Sequence, residues 1–286
     1  MSTFEKIANV VIVVIGLTIA GLAAYVYYSI DSANDANQVV LSATDIKQMA
    51  MLDPIIHVVN EESSGSGVLV FRDGPDEKGR YWYLAITNAH VVDNREILKD
   101  IDVDGLRGTV EYVMEDPGCS VTVFRHEATE WEIYDATILI ESEDYDLAVV
   151  SFFTEDLIEN IARIASAEQM MDVRIFDEVF AVGCQLGKKP LPTKGLVSAF
   201  YLQEDILMFS HTAQISPGSS GGGLFKEYEG EYYLIGMPSS VACVGFQFVA
   251  HYAYSISATV IHEFLEENSM TFITKLNQDL VETNEN

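Results

Sequence analysis

A glycine-rich decapeptide at residues 216–225, SPGSSGGGLF, is the segment best suited to chemistry. It holds Ser220 among glycines directly before an apolar run, which favours an exposed hydroxyl on a tight turn. Attack on a carbonyl also needs N–H groups aimed at the developing oxyanion, and the backbone of Gly218 and Ser220 could supply them. We therefore interpret Ser220 as a nucleophile. Taken alone, the decapeptide also fits a glycine-rich hairpin without chemistry.

A serine nucleophile needs a base, and histidine is the most common one. The chain has six histidines. His90 has the best surroundings, because LAITNAHVV at residues 84–92 changes from an apolar strand to a polar stretch that would present the imidazole at the edge of a barrel. We predict packing or surface roles for the other five. His90 alone also fits a structural role.

The third group should be a carboxylate that holds the imidazole in the productive tautomer. Asp146 stands directly before an apolar run in DYDLAVV at residues 144–150, so it is predicted to lie at the start of a strand. Asp144, two residues earlier in the same acidic turn, is the alternative. Either aspartate also fits an ordinary turn residue before a strand.

The elements that must position these residues are short runs rich in Val, Ile, Phe and Tyr, separated by turn residues. The first series covers residues 67–71, 80–88, 107–114, 120–125, 132–140 and 147–153. The second series covers residues 178–183, 195–202, 206–212, 222–225, 232–237 and 245–255. The two series predict an all-β protein with two antiparallel β units.

The flanking segments complete the predicted organisation. Residues 155–171 are polar and contain alanine, which predicts a boundary of helical character between the two β units. SATVIHEFLEE at residues 257–267 has the spacing of a one-sided helix with a serine cap. We therefore predict a linker over residues 31–44, a folded domain over 45–267 and a tail over 268–286, too short for another domain.

Residues 10–30, VVIVVIGLTIAGLAAYVYYSI, carry no charge. At a helical rise of about 1.5 Å per residue, a helix of this length crosses the hydrocarbon core of a bilayer. Tyrosines cluster at one end, as in the aromatic belt of a retained anchor. We predict a transmembrane anchor over residues 1–30, with a cleaved signal peptide as the alternative. Lys6 before the helix favours a single-pass protein with its N-terminus inside and its folded domain outside the cytoplasm.

The composition excludes several classes of partner. The chain has 44 acidic and 16 basic residues and a formal charge of −28, which repels phosphate backbones, so we expect no nucleic acid partner. The three cysteines are too few for a disulfide framework, and their surroundings predict buried thiols. No residues have the spacing of metal ligands and no phosphate-binding loop occurs, so we predict no metal and no cofactor.

The chain resembles the trypsin-like serine peptidases of the HtrA/Deg type in four motifs that occur in the family's order: GSGV at residues 65–68, TNAHVV at 87–92, DLAVV at 146–150 and GSSGGGL at 218–224. The resemblance extends over residues 45–267. It implies two six-stranded antiparallel β-barrels of the chymotrypsin type with the active site between them. It also implies the triad His90, Asp146 and Ser220, and an oxyanion loop shaped by Gly218 and Ser219.

The chain departs from the family pattern in the oxyanion loop. The family usually has asparagine where Ser219 stands, and a longer, arginine-bearing approach where Pro217 stands. Most relatives carry a C-terminal PDZ domain, and we expect none here because the segment after residue 267 is short. Trimers are common in the family, so a trimeric homo-oligomer is implied by analogy alone.

The sequence therefore favours a membrane-anchored serine endopeptidase that acts on polypeptides, with unfolded proteins as candidate substrates and quality control or processing as candidate roles. In trypsin-like enzymes the residue six positions before the nucleophile sets the charge preference. Gln214 stands there and has no negative charge, so a preference for Lys or Arg is unsupported. By the same resemblance, the predicted substrate pocket comprises Gln214, Ile215, Ile235, Gly236 and Met237, and its small and apolar residues suit a small or medium apolar side chain.

Two other classes of function fit part of the sequence. The pattern G-x-S-x-G at residues 218–222 also occurs in the nucleophile elbow of α/β-hydrolases, which would make the protein an esterase or lipase. That fold needs an acid and then a histidine after the serine, with alternating strands and helices, whereas the pattern of the 66 residues after Ser220 is mostly β. The non-enzymatic alternative is a membrane-tethered binding module that has kept the fold and lost its activity.

Overall fold

The structure, a computed structural model, describes residues 42–60, 63–93, 96–103, 106–112, 118–124, 131–203, 205–245 and 247–275. The chain divides into two compact units, Met1–Thr44 and Asp45–Asn286. All of the strands described below belong to the second unit.

The described residues are mostly in β-strands. The strands are β1 (Ile55–Val59), β2 (Ser64–Asp73), β3 (Tyr81–Thr87), β4 (Glu96–Val103), β5 (Leu106–Tyr112), β6 (Gly118–Phe124), β7 (Trp131–Ser142), β8 (Leu147–Thr154), β9 (Glu178–Gly183), β10 (Leu191–Gln203), β11 (Ile206–His211), β12 (Gly223–Tyr228), β13 (Glu231–Val244) and β14 (Gln247–Ser257). The helices are α1 (Ala43–Lys47), followed by a π-helical turn (Gln48–Leu52), α2 (Ala89–Val92), α3 (Ala167–Met171), a 3₁₀ turn (Gln185–Gly187) and α4 (Ala258–Glu267).

The strands close into two antiparallel barrels of six strands each. The first barrel has the order β1-β2-β3-β8-β7-β6, and the second has the order β10-β11-β14-β13-β12-β9, while β4 and β5 form a separate hairpin. The all-β architecture predicted from the two series of apolar runs is therefore confirmed. The antiparallel barrels also rule out the α/β-hydrolase interpretation of the glycine motif, which requires a mostly parallel sheet covered by helices.

Continuous apolar runs arise because several strands are buried on both faces. In β3, Tyr83 and Ala85 belong to the hydrophobic cluster of the first barrel, whereas Leu84 and Ile86 point into a cluster shared by both barrels. The shared cluster also receives Val182 and Leu234 from the second barrel, and the apolar side of α4. A separate cluster fills the second barrel. The two barrels are therefore joined by a common core.

The predicted strands differ from the observed ones in the first barrel. Residues 107–114 were expected to belong to it, but β5 lies in the separate hairpin, and the sixth barrel strand is β1, which the prediction lacked. The sequence of β1, IIHVV, is short and interrupted by His57, so its periodicity is weak. β1 forms because β2 and β6 pair with it on both sides.

The flanking elements follow the sequence more closely. The C-terminal helix is confirmed as α4, and the Ser257 hydroxyl accepts a hydrogen bond from the Thr259 N–H at its start. In the segment 155–171, helix occurs only in α3, which begins with a capping box formed by Ser166 and Gln169. Among the described residues no helix is long and apolar enough to cross a bilayer. The predicted transmembrane helix at residues 10–30 lies outside them.

Candidate active site

His90 lies in the short helix α2 at the edge of the first barrel. Its neighbours Val91 and Val92 are buried in the core of that barrel, while the His90 side chain is 49% exposed. The helix begins after Asn88, whose side-chain amide donates to the backbone oxygen of Asp146 at 2.9 Å. The end of β3 therefore turns the imidazole out of the core and ties it to the segment that carries Asp146.

Asp146 stands directly before β8 with a φ of 51°, in the left-handed region. Its Oδ1 lies 2.8 Å from His90 Nδ1 and accepts a second hydrogen bond, of 3.2 Å, from the His90 backbone N–H. Because an ionised carboxylate can only accept, Nδ1 is the donor and carries the proton. Nε2 then has its lone pair free. In the described residues the hydrogen bonds join His90 to Asp146 and not to Asp144.

Ser220 follows a tight turn between β11 and β12. The Ser219 N–H donates to the Ser216 oxygen at 2.9 Å, Pro217 takes the second position, and Gly218 takes the third with a φ of 92°. These are the features of a type II turn, in which proline suits the second position and glycine the third. The Pro217 departure from the family pattern thus fits a turn that proline and glycine stabilise together.

The orientation of two N–H groups in this loop is fixed by the carbonyls of the same peptides. In a trans peptide the N–H points away from the carbonyl oxygen. The Pro217 oxygen accepts from the Leu186 N–H at 2.7 Å, and the Ser219 oxygen accepts from the Gly222 N–H at 3.0 Å. The N–H groups of Gly218 and Ser220 therefore point to the opposite sides of those peptides, and no backbone hydrogen bond within the described residues uses them.

Ser239 connects the Ser220 loop to Asp146, and sequence reasoning did not identify it. Its hydroxyl donates to Asp146 Oδ2 at 2.8 Å, and its backbone oxygen accepts from the Ser220 hydroxyl at 3.0 Å. In this arrangement the Ser220 hydroxyl faces Ser239, and none of the hydrogen bonds of the described residues joins it to His90. Ser239 follows the IGMP stretch in β13, but its sequence context gives no signal of this role.

The five residues of the predicted substrate pocket lie in different environments. The side chains of Ile235 and Met237 are fully buried in hydrophobic clusters, and a Cβ on Gly236 would lie 2.6 Å from the Ile256 oxygen. Gln214 is exposed, and Ile215 packs against the core of the second barrel. None of the five lines the small pocket beside Asp146 and Ser239. Their assignment to a substrate pocket stays a prediction.

The cysteines and possible metal ligands lie apart from this chemistry. Burial raises the pKa of Cys119 to about 11 and that of Cys184 to about 12, as expected for the predicted buried thiols. Cys243, by contrast, is exposed, because it lies near the tip of the β13–β14 hairpin, beyond the barrel core. Within the described ranges no cluster of His, Cys, Asp and Glu could hold a metal ion.

Two closed six-stranded barrels, with a His–Asp pair on the first and a glycine-rich serine loop on the second, define a chymotrypsin-like protein. The chain belongs to the family of trypsin-like peptidase domains, whose model matches residues 65–237. No curated protein sequence matches it significantly.

Solved structures that are similar to the chain include two proteases. The HtrA-type protease AlgW with tripeptide has a TM-score of 0.55 and 19% identity over 79% of this chain and 63% of its own. A serine endoprotease from Yersinia pestis has a TM-score of 0.51 and 18% identity over 83% of this chain and 68% of its own. The chain thus spans less than two thirds of AlgW. These matches confirm the expected likeness to HtrA-type proteases at the level of the fold.

Proposed function

We propose that this protein is a serine endopeptidase in which Ser220 is the nucleophile, His90 the general base and Asp146 the residue that orients the base. The observation that carries the proposal is the 2.8 Å hydrogen bond between His90 Nδ1 and Asp146 Oδ1, which leaves Nε2 free to take a proton. Family membership supports the same chemistry. Peptide hydrolysis needs no metal or cofactor in this scheme, because the three side chains supply the nucleophile and all proton transfers.

The substrate is an extended polypeptide that adds to β13. β12 pairs with β13 only as far as Gly236, and from Met237 onward β13 pairs with β14 alone among the described strands. A peptide aligned along that edge would gain main-chain hydrogen bonds that do not depend on its sequence. Unfolded proteins are therefore the natural class of substrate. The AlgW structure likewise contains a tripeptide. The trimer implied by analogy stays a prediction.

Substrate binding at this edge also releases the nucleophile. The Ser239 oxygen, which now accepts from the Ser220 hydroxyl, is the acceptor that a substrate N–H would meet beside the scissile bond. The displaced hydroxyl then turns to His90 Nε2. Ser220 Oγ bonds to the carbonyl carbon, its proton passes through His90 to the leaving amine, and water hydrolyses the acyl-enzyme by the same route. The Gly218 and Ser220 N–H groups receive the oxyanion.

The test is labelling of the full chain in detergent with a fluorophosphonate probe, together with digestion of an unfolded protein. Ser219→Ala is the matched control for Ser220→Ala, because the two serines are adjacent in the same loop. Labelling and digestion by the wild type and by Ser219→Ala, but not by Ser220→Ala, is the expected result. Labelling of folded Ser220→Ala would contradict the assignment of the nucleophile.

One observation favours a second candidate function, an inactive binding module of the same fold. The Ser220 hydroxyl is hydrogen-bonded to Ser239 and not to His90. A folded wild-type chain that binds extended peptides but takes up no fluorophosphonate would support this candidate over the peptidase.

We further propose that residues 10–30 anchor the enzyme in a membrane, with the N-terminus inside and the peptidase domain outside the cytoplasm. The support is the uncharged apolar sequence and Lys6 before it. The full chain should remain in membranes after a carbonate wash, and an Ile15→Arg, Ile19→Arg double variant should be released. Added protease should cleave the domain in intact cells. Extraction of the wild-type chain by carbonate would contradict the anchor.

A further inference from the structure

Ser66 belongs to the GSGV motif, which the proposed triad does not explain. It lies in β2 of the first barrel, and both the residue and its hydroxyl are fully buried. Two glycines of the second barrel approach it closely. A Cβ on Gly221 would lie 2.1 Å from the Ser66 oxygen, and one on Gly183 would lie 3.0 Å from the Ser66 hydroxyl. The glycines at these two positions therefore allow the backbones of the two barrels to meet around Ser66.

The Ser66 hydroxyl joins two backbone groups of the second barrel. It donates to the Gly218 oxygen at 2.6 Å and accepts from the Cys184 N–H at 2.7 Å. A carbonyl can only accept and a backbone N–H can only donate, so the direction of both hydrogen bonds is fixed. Without the hydroxyl, the buried Cys184 N–H and the half-buried Gly218 oxygen would each lose this partner.

The backbone of Ser66 holds the same loop. Its N–H donates to the Ser220 oxygen at 2.7 Å, and its own oxygen accepts from the buried Thr87 hydroxyl at 2.7 Å. Ser66 therefore contacts the loop on both sides of Ser219, at Gly218 through its side chain and at Ser220 through its main chain.

These contacts decide where the Gly218 N–H points. Glycine has wide conformational freedom, so the two peptides that flank its Cα can rotate unless both are held. The Leu186 N–H holds the Pro217 oxygen on one side, and the Ser66 hydroxyl holds the Gly218 oxygen on the other. Loss of the Ser66 contact leaves only the Leu186 hydrogen bond to oppose rotation of the Pro217–Gly218 peptide. That rotation converts a type II turn into a type I turn, and the Ser219–Ser216 hydrogen bond does not prevent it because both turn types contain that bond. The Gly218 N–H would then leave the oxyanion site.

We propose that Ser66 is a positioning residue that holds the oxyanion loop in the conformation needed for acyl transfer. The proposal rests on the proposed peptidase function. Ser66 does not touch the reacting atoms, and its effect passes through the Gly218 N–H. One oxyanion donor contributes about 10²–10³-fold to the rate, so partial loss of its orientation should slow acylation about 10- to 100-fold.

The experiment compares the full chain in detergent with three variants. Ser66→Ala removes the hydroxyl, and Ser66→Cys keeps a side chain with only a weak donor in case the alanine variant does not fold. Ser151→Ala is the matched control, because Ser151 is also buried in the first barrel and its hydroxyl accepts from Trp82 Nε1 at 2.7 Å. Each protein is acylated with cinnamoylimidazole labelled with ¹³C at the carbonyl, and the acylation rate and the infrared carbonyl stretch of the acyl-enzyme are measured.

We expect slower acylation and a carbonyl stretch at higher frequency in Ser66→Ala, a smaller change in Ser66→Cys, and wild-type values in Ser151→Ala. The carbonyl frequency is decisive, because it reports hydrogen bonding at the oxyanion site and does not respond to a general loss of stability. A folded Ser66 variant with the wild-type carbonyl frequency and acylation rate would overturn the role of Ser66 and leave the proposed peptidase function standing. Absence of any acyl-enzyme in the folded wild type would overturn the peptidase function, and this inference with it.

Discussion

Replacement of Asp146 by asparagine should remove the charge beside His90 with little change to the fold. Asp146 has a φ of 51°, and asparagine is, after glycine, among the residues that best tolerate that region. The backbone N–H and the Nδ1–H of His90 donate hydrogen bonds to Asp146 Oδ1, and the Ser239 hydroxyl donates one to Asp146 Oδ2. An asparagine with its oxygen towards His90 satisfies both His90 donors, and the Ser239 hydroxyl can rotate to accept from its amide.

The size of the effect follows from the lost charge. With charge centres about 4 Å apart and an effective dielectric constant of about 20, the attraction between imidazolium and carboxylate is about 4 kcal/mol. The two side chains are 49% and 30% exposed, so solvent screens part of this attraction. A remaining contribution of about 3 kcal/mol corresponds to a loss of about 10²-fold in kcat. If the amide flipped towards His90, the wrong tautomer would raise the loss to about 10⁴-fold.

The assay is single-turnover acylation by an activated peptide ester, with thermal unfolding measured on the same samples. Asp144→Asn is the matched control, since it removes the same charge from the same turn, and it should stay within about twofold of wild type because the proposed orienting role belongs to Asp146. An Asp146→Asn protein that acylates at the wild-type rate would refute the orienting role. An equal loss in both variants would refute the choice of Asp146 over Asp144.

Three further predictions concern other parts of the molecule. Ser220→Ala and His90→Ala should each abolish most acylation in the ester assay, and the double variant should be no slower than either, because the two groups act together; Ser219→Ala should lose less than about tenfold. Burial lowers the pKa of His211 from 6.5 to about 4. Between these pH values the imidazole is protonated in the unfolded chain but neutral in the folded protein, so stability falls as the pH falls through that window. Urea unfolding should show about 2 kcal/mol less stability at pH 5 than at pH 7 from this group, and an unchanged pH dependence in His211→Gln would contradict the argument. A thiol reagent should react fast with Cys243 alone in the native protein, and fast reaction that persists in Cys243→Ser would show that a buried thiol is accessible.

The triad candidates could be read from the sequence because each depends on local chemistry. Glycines around Ser220 mark a tight turn, polar residues after an apolar strand turn His90 outward, and Asp146 begins the next strand. These are signals within about ten residues of each position. The same local signals suffice for the capped helix α4 and for every barrel strand except β1, which pairing with its two neighbours stabilises.

Contacts between distant residues could not be predicted in this way. Ser239 meets Asp146 across 93 positions, and Ser66 meets Gly218 across 152. A serine at either position looks the same in the sequence whether it faces solvent or bridges two barrels. For Ile235 and Met237, which the sequence assigns to the predicted pocket, an apolar strand does not show which of its faces is covered. Here both faces are covered, and their side chains lie in the core.

Two of the hydrogen bonds between the barrels hold the proposed active site from both sides. In one, Ser239 of the second barrel donates to Asp146 of the first, and in the other, Ser66 of the first barrel donates to Gly218 of the second. The shared hydrophobic core holds the two barrels together, and the contacts on either side of Ser220 set its direction. The site is therefore sensitive to small shifts between the barrels. A substitution in their shared core can lower activity while most of the structure remains folded, because an error of about 1 Å in such geometry costs about 10²-fold in rate.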